Sequence, residues 1–260
     1  MTGSHIIELR DVRFAYRTGP VWSRRTVPVL HDIDLRIARG ETLGLVGESG
    51  SGKSTIAKLS LGLLRPSSGV VSFDGGPMPG RAGRAGRFAA VLQHPMWSLN
   101  PRLKVVTSIL EPLQLAARAS AGAHRTASGD RVHAVEMLER VGLDAAFADR
   151  YPHELSGGQR QRVSIARALV TSPDYVLFDE AVSALDVSVQ AQILNLIRTL
   201  QAEHSFAALF ISHDLAAVRY VADEVAVLSR GSVVDRGKAK DLYAPAAHPY
   251  TRQLQEASEL

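Results

Sequence analysis

Cysteine is absent from the 260 residues of this chain. Its absence excludes disulfide bonds, thiolate-bound zinc and iron–sulfur clusters, because each of these needs cysteine sulfur. A long apolar run is missing as well: no stretch approaches the roughly 18 apolar residues that a membrane-spanning helix requires. Residues 1–10 have no apolar core behind a basic start, so we expect no signal peptide. Any role at a membrane is therefore expected to come through a partner.

The remaining composition is ordinary for a globular protein. Hydrophobic residues make up 45% of the chain and charged residues 22%, so a sizeable buried core is expected. The length suits one large domain, or a core with a smaller lobe. The formal charge of +4 is compatible with nucleic acid, anionic lipid or phosphate ligands and does not choose among them.

The order of apolar patterns predicts an α/β fold. Two early segments alternate apolar and polar side chains, as half-buried antiparallel strands do. Later strands alternate with helices, which indicates a core with a largely parallel sheet. Residues 75–86 are rich in glycine, proline and arginine and predict a surface loop. The predicted strands are residues 7–16, 29–37, 41–46, 69–73, 88–92, 175–178, 207–211 and 225–228, and the predicted helices are residues 105–118, 131–141, 155–170, 187–203 and 215–221, with further helices from residue 55 and near residue 250.

A glycine-rich segment between a predicted strand and a predicted helix matches the pattern G-x-x-x-x-G-K-[ST] in full. Its glycines let successive backbone N–H groups converge on phosphate oxygens, and the helix N-terminus adds partial positive charge. Lys53 supplies a charge for the outer phosphates, and the Ser54 hydroxyl can bind Mg²⁺. The alternative is a glycine-rich turn with a chance lysine. The predicted nucleotide-binding residues here are Gly47, Glu48, Ser49, Gly50, Ser51, Gly52, Lys53, Ser54 and Thr55.

Polar side chains follow three other predicted strands, at the sheet edge where ligands of α/β folds bind. Asp179 can hold Mg²⁺ and Glu180 can orient and deprotonate an attacking water. Gln93 can contact the metal and that water, and His213 can donate to the γ-phosphate. If the strands share one sheet, all four should face the phosphate loop. The alternatives are an exposed strand end for the acidic pair and a hydrogen-bonded loop histidine for His213.

Residues 155–159 read Leu-Ser-Gly-Gly-Gln and, together with the phosphate loop, resemble the signature of the ABC ATPases. The resemblance covers nearly the whole chain. Its motifs follow in family order as Walker A at residues 47–54, the Q-loop at Gln93, the signature at residues 155–159, Walker B at residues 175–180, the D-loop at residues 183–186 and the switch histidine at His213.

The resemblance implies a P-loop NTPase (RecA-like) core within a single ABC ATPase domain over residues 1–260. Residues 41–94 and 166–230 would form the nucleotide-binding core. The other parts would be an N-terminal antiparallel β region at residues 5–40, an inserted helical signature subdomain at residues 95–165 and a C-terminal tail at residues 231–260.

The resemblance also implies a mechanism in which two such subunits, identical or different, face each other head to tail. ATP with Mg²⁺ would lie between the phosphate loop of one subunit and the signature of the other, and its hydrolysis would drive a transporter. The signature residues concerned are Ser156, Gly157, Gly158 and Gln159. Tyr16 is similar to the aromatic that stacks on adenine in this family, and a plain core tyrosine is the alternative.

Four segments are similar to the second ATPase of peptide and nickel importers: residues 93–102, 150–159, 183–192 and 248–251. Such systems imply two membrane permeases, an extracytoplasmic binding protein, a location at the cytoplasmic membrane face and no nucleic acid partner. Oligopeptides or dipeptides are the expected cargo. A nickel or metal-chelate importer is the first alternative, because Ala181 replaces the usual proline as in a nickel ATPase. The second alternative is a soluble ABC ATPase that acts in DNA repair or on the ribosome.

Several weaker features carry further expectations. Trp97 is either a permease contact or a buried residue, and His94 stands where the family usually has an acidic residue. The arginines at 81, 84 and 87 indicate a solvated basic loop. Those at 160, 162 and 167, after the signature, are expected to form internal pairs or to contact the second ATPase.

Overall fold

The computed structural model describes residues 5–19, 25–93, 99–119, 127–241 and 248–258. Two compact units emerge from it. The first comprises Met1–Met78 with Ala207–Leu260, and the second comprises Pro79–Phe206.

An antiparallel sheet occupies the N-terminal part of the first unit. Its strands are ordered β2-β1-β4-β5. Alternate residues of the two long strands are buried, including Ile7, Leu9, Ile33 and Leu35, so the predicted alternation is confirmed. The strands are β1 (His5–Thr18), β2 (Arg25–Ala38), β4 (Ser68–Phe73) and β5 (Gly76–Pro77).

The parallel strands of the first unit centre on β3 (Thr42–Val46), whose five residues are all buried. It pairs in parallel with β8 (Ala207–Ile211) on one side and β9 (Glu224–Ser229) on the other. Burial on both faces explains why this strand is a continuous apolar run. The remaining elements are β10 (Ser232–Lys238), which pairs antiparallel with β9, the helices α1 (Lys53–Ser60), α7 (Leu215–Val221) and α8 (Pro249–Ser258), and a 3₁₀ turn at Ala239–Asp241.

The second unit combines two parallel strands with helices. Strand β6 (Phe88–Leu92) pairs with β7 (Tyr175–Asp179). The antiparallel and parallel sheets with their helices confirm the predicted α/β class. The helices are α2 (Arg81–Arg84), α3 (Val105–Ala119), α4 (Ala127–Arg140), α5 (Gly157–Leu169) and α6 (Val187–His204), with 3₁₀ turns at Ala145–Asp149 and Pro152–Glu154.

Two local predictions are wrong. Residues 232–238, where no strand was predicted, form β10, because pairing with β9 stabilises a half-exposed edge strand whose own sequence, Ser-Val-Val-Asp-Arg-Gly-Lys, is weakly apolar. Residues 75–86, predicted to be a loop throughout, contain the short β5 and α2.

Candidate functional site: the phosphate loop and the signature helix

The phosphate loop leaves the end of β3 and turns into α1. Two of its glycines are required by geometry. Gly47 has φ of 150°, and a Cβ there would lie 2.1 Å from the carbonyl oxygen of Leu228. Gly52 has φ of 114°, and a Cβ there would lie 2.7 Å from Leu30 Cδ2. A side chain at position 47 would require the backbone at Leu228 to move, and one at position 52 would require Leu30 to shift and a strained positive φ.

Lys53 lies back over the loop that precedes it. Its ammonium donates to the carbonyl oxygens of Gly47 at 2.6 Å and Glu48 at 2.7 Å. Helix α1 begins after Gly52, and no side chain among the described residues caps it. The α1 N-terminus therefore combines the ammonium of a long lysine side chain with the partial positive charge of a helix end. This arrangement suits an anion such as phosphate.

His213 emerges at the same sheet edge as the loop. Strands β3 and β8 run parallel with Leu45 opposite Ile211, so the residues that follow both strands share one side. His213 is exposed, and its neighbour Ser212 is buried with its hydroxyl accepting from the backbone N–H of Asp214 at 3.0 Å. An imidazole at this edge can donate to an anion held by the loop.

Tyr16 is half-buried beside α1. Its hydroxyl lies 3.4 Å from Thr55 Oγ1, and its ring stands edge-on to Phe14 with centroids 4.8 Å apart. The tyrosine is thus neither fully buried core nor remote from the loop. A partly exposed aromatic face here can stack on a planar ring.

Gln93, Asp179 and Glu180 meet at one edge of the second unit. Leu92 pairs with Asp179 across the parallel strands, so Gln93 leaves β6 beside the end of β7. The side chains of Asp179 and Glu180 are half-buried and that of Gln93 is exposed.

Glu180 adopts a left-handed backbone with φ of 50°, which is uncommon for a residue with a side chain. Such a conformation costs on the order of 1–3 kcal/mol and persists only where its surroundings fix it. Here the Glu180 carbonyl accepts from the Ser183 hydroxyl at 3.0 Å. The next residues, Ala181 and Val182, are buried, so the small Ala181 fits a closed site.

The signature segment forms the N-terminus of α5. Ser156 Oγ accepts from the backbone N–H of Gln159 at 3.3 Å, and Gln159 Oε1 accepts from the backbone N–H of Ser156 at 2.9 Å. The sequence analysis assigned these residues only to nucleotide binding and did not predict this reciprocal capping box, although the spacing S-x-x-Q indicates it. Leu155 is buried and Ser156 is exposed.

The turn after Glu180 packs against the signature. A Cβ on Gly158 would lie 2.5 Å from Val189 Cγ1, whereas one on Gly157 would meet Leu185 Cδ2 at 3.7 Å. Asp186 caps α6, and its pKa is lowered chiefly because its carboxylate accepts from the backbone N–H of Val189. Leu185 and the start of α6 thus lie against the first turn of the signature helix.

The arginines after the signature form internal contacts, which is the first of their two predicted roles. Arg160 donates to the Leu155 carbonyl at 2.7 Å and Arg162 to the Val141 carbonyl at 2.7 Å. Arg167 pairs with Glu111 at 3.1 Å. In the basic loop, Arg87 pairs with Asp174 at 2.7 Å. The interpretations of His94 and Trp97 lie outside the described residues.

Oxygen ligands for Mg²⁺ are present in both units. Within the described part of the chain, no group of three or more histidine, aspartate or glutamate side chains forms a ready metal cluster. The exposed Ser54 hydroxyl, the Asp179 carboxylate and the Gln93 amide are nevertheless hard oxygen donors of the type that Mg²⁺ takes. Since Mg²⁺ is usually held by one or two protein groups plus substrate phosphates, each of these groups is by its own chemistry suited to it.

Comparison with known proteins decides the family. The sequence profile described as ABC transporter matches residues 30–183. The chain belongs to the ABC transporter family. It is an ATP-binding ATPase of that family. No helix in the described parts of this ABC protein has the length and apolar character to cross a membrane.

Individual relatives cover most of the chain. The Probable D,D-dipeptide transport ATP-binding protein DdpF of Escherichia coli K12 is 45% identical over 96% of this chain and 77% of its own length. The oligopeptide transport ATP-binding protein OppF of Bacillus subtilis 168 is 44% identical over 92% of this chain and 79% of its own. The ATP-binding cassette MJ0796, solved as a dimer in a post-hydrolysis state with ADP and Pi, matches with a TM-score of 0.77 at 29% identity, covering 90% of this chain and 99% of that one.

Proposed function

We propose that this ABC protein energises the import of oligopeptides or dipeptides. One observation carries the proposal: two relatives named for dipeptide and oligopeptide transport are 45% and 44% identical over 96% and 92% of the chain. Identity at that level extends well beyond the nucleotide motifs, which cargo classes share. It supports a peptide importer.

The phosphate loop would bind the ATP phosphates. Backbone N–H groups of residues 47–55, apart from the Glu48 N–H, would surround them, and the Lys53 ammonium would donate to the outer phosphate oxygens while it stays against the Gly47 carbonyl. Tyr16 would stack on adenine. Ser54 and Asp179, with Gln93, would hold Mg²⁺, which when bound neutralises charge on the phosphates.

Hydrolysis would use Glu180 as the general base. Its carboxylate would take a proton from the water that attacks the γ-phosphorus, while the bond to the β–γ bridging oxygen breaks. His213 would donate to the γ-phosphate, and Gln93 would orient the water. The left-handed backbone of Glu180, fixed by the Ser183 hydroxyl, supports this role because strained conformations concentrate at functional sites.

The signature would act on nucleotide held by a second ABC ATPase subunit. Ser156, Gly157, Gly158 and Gln159 would direct a helix N-terminus at its γ-phosphate. The dimeric state of the MJ0796 cassette with ADP and Pi supports a paired arrangement. We propose a second ATPase, of the same or a different chain, two membrane permeases and an extracytoplasmic binding protein as partners. The chain would lie peripherally at the cytoplasmic face of the cell membrane.

The test is affinity purification of the full chain from detergent-solubilised native membranes. We expect two multi-span permeases, a sister ATPase and a binding protein, and that binding protein should bind short peptides in preference to chelated nickel. Preference for chelated nickel would overturn the cargo assignment. Recovery of ribosomal or DNA-repair proteins alone would overturn transport, with ATPase activity unaffected.

A further inference from the structure

The C-terminal helix α8 contacts the phosphate loop. The hydroxyl oxygen of Tyr250 accepts a hydrogen bond from the backbone N–H of Glu48, with 3.2 Å between the oxygen and the nitrogen. Glu48 is the second residue of the loop, directly after Gly47. None of the nucleotide, metal and water roles proposed above uses Tyr250.

The peptide group that joins Gly47 to Glu48 is held at both ends. Its N–H donates to Tyr250, and its carbonyl oxygen accepts from Lys53 Nζ at 2.6 Å. A peptide group is a rigid plane. A hydroxyl that fixes the N–H therefore also fixes the carbonyl on which the lysine ammonium rests.

Tyr250 is itself anchored through its neighbours. The Asp235 carboxylate accepts from the backbone N–H of His248 at 2.8 Å and from the Thr251 hydroxyl at 2.7 Å. His248 Nδ1 lies 3.2 Å from the backbone nitrogen of Tyr250 and accepts its N–H. Pro249 occupies the first position of α8, where its missing N–H costs nothing. All four residues of the segment 248–251 thus help to place the tyrosine hydroxyl.

The turn between β9 and β10 holds the same loop at a second point. The backbone N–H of Gly231 donates to the Ser51 carbonyl at 2.9 Å. Gly231 has φ of 81°, and a Cβ there would lie 2.1 Å from the Val29 carbonyl oxygen, so this close approach depends on glycine. The chain after residue 230 therefore holds the loop at its start and in its middle.

We propose that Tyr250 is a positioning residue for nucleotide binding, which its hydroxyl supports by fixing the Gly47–Glu48 peptide and, through it, Lys53. This inference rests on the proposed assignment of residues 47–54 as the phosphate site. Since the hydroxyl holds the loop and not the reacting atoms, its loss affects ATP affinity and leaves the chemical step unchanged.

The test is a titration of the full chain with a fluorescent ATP analogue, followed by steady-state ATPase kinetics. Tyr250→Phe should weaken binding about fivefold, as expected for loss of one neutral hydrogen bond. KM for ATP should rise by a similar factor while kcat stays constant. Tyr220→Phe, which removes a hydroxyl from an exposed tyrosine on α7 of the same unit, is the matched control and should bind like the wild type.

A second variant tests the anchor and covers a failure of Tyr250→Phe to fold. Thr251→Val removes one bond to Asp235 and should weaken binding in the same direction by a smaller factor. Combined with Tyr250→Phe, it should add little, because both changes act through one contact. Additive losses in the combined variant would contradict that shared route.

Lys53→Ala distinguishes a failure of the Tyr250 positioning role from a failure of the phosphate-site assignment. If that variant loses nucleotide while Tyr250→Phe binds like the wild type, the positioning role is overturned and the phosphate site stands. A Tyr250→Phe variant with reduced kcat and unchanged KM would overturn it equally. If Lys53→Ala binds like the wild type, the site assignment and the inference both fall.

Discussion

Helices α1 and α5 both begin beside glycines, yet their first turns are completed differently. The α1 N-terminus follows Gly52 without a side-chain cap among the described residues, and a lysine lies across its loop. The α5 N-terminus is closed by the capping box of Ser156 and Gln159. The α1 N-terminus thus leaves backbone N–H donors for a ligand. The α5 N-terminus instead uses some of its backbone N–H donors in the capping box, which gives it a defined conformation before any partner binds.

The difference suits the two roles proposed for them. An open helix end with a flexible cation can hold phosphate within one subunit. A capped end stacked on the start of α6 suits a preformed surface that meets nucleotide held by another subunit. The following variants test this division, from the largest expected effect to the smallest.

Glu180→Gln should reduce ATP turnover by about 100-fold to 10,000-fold, because the amide cannot accept the proton of the attacking water. Nucleotide binding should persist, since the phosphate loop is unchanged. The measurement is phosphate release at saturating ATP alongside analogue binding. The control is Glu203→Gln, which changes an exposed residue of α6 in the same way. Normal turnover of Glu180→Gln would contradict the assignment of Glu180 as the general base.

Lys53→Ala should weaken ATP-analogue binding by roughly 10-fold to 100-fold, the range expected for lost hydrogen bonds to a charged group. Lys58→Ala removes an exposed lysine from the same helix and should change little. Equal affinities of the two variants would mean that the α1 end is not the phosphate site.

Gly158→Ala should destabilise the protein by about 1–3 kcal/mol through overpacking against Val189. The reason is the 2.5 Å approach between a Cβ at 158 and Val189 Cγ1. Urea unfolding should show the loss, and the double variant with Val189→Ala should recover much of it. Gly157→Ala has ordinary contacts at 3.7 Å and is the control for stability; an equal loss there would refute the packing explanation.

Ser156→Ala should cost about 1 kcal/mol of stability, a typical value for a removed N-cap. Ser156→Thr keeps the hydroxyl and should restore most of it. The measurement is again urea unfolding. An unchanged midpoint for Ser156→Ala would show that the capping box contributes nothing to α5.

The sequence predicts the parts of the fold whose signals are local. Strand β3 follows from an apolar run, the phosphate loop from a glycine pattern, and the start of α5 from the Leu-Ser-Gly-Gly-Gln segment. Strand β10 was not predictable, because its stability comes from pairing with β9 and not from its own residues. Residue identity alone likewise contains no sign of the left-handed backbone at Glu180.

The same limit applies to the candidate site. Its candidate residues come from sequence motifs, and the structure places the phosphate loop, Tyr16 and His213 in one unit and Gln93, Asp179, Glu180 and the signature in the other. The contact between Glu48 and Tyr250 joins residues 202 positions apart in sequence. Only the folded chain brings such a pair together.

Hydrogen–deuterium exchange of the dilute protein, with and without MgATP, tests most directly whether the open α1 end holds the nucleotide. We predict that ATP slows amide exchange across residues 47–55 and leaves residues 156–159 unchanged, and that Lys53→Ala abolishes the protection. Unchanged exchange at residues 47–55 in the presence of bound nucleotide would contradict the account.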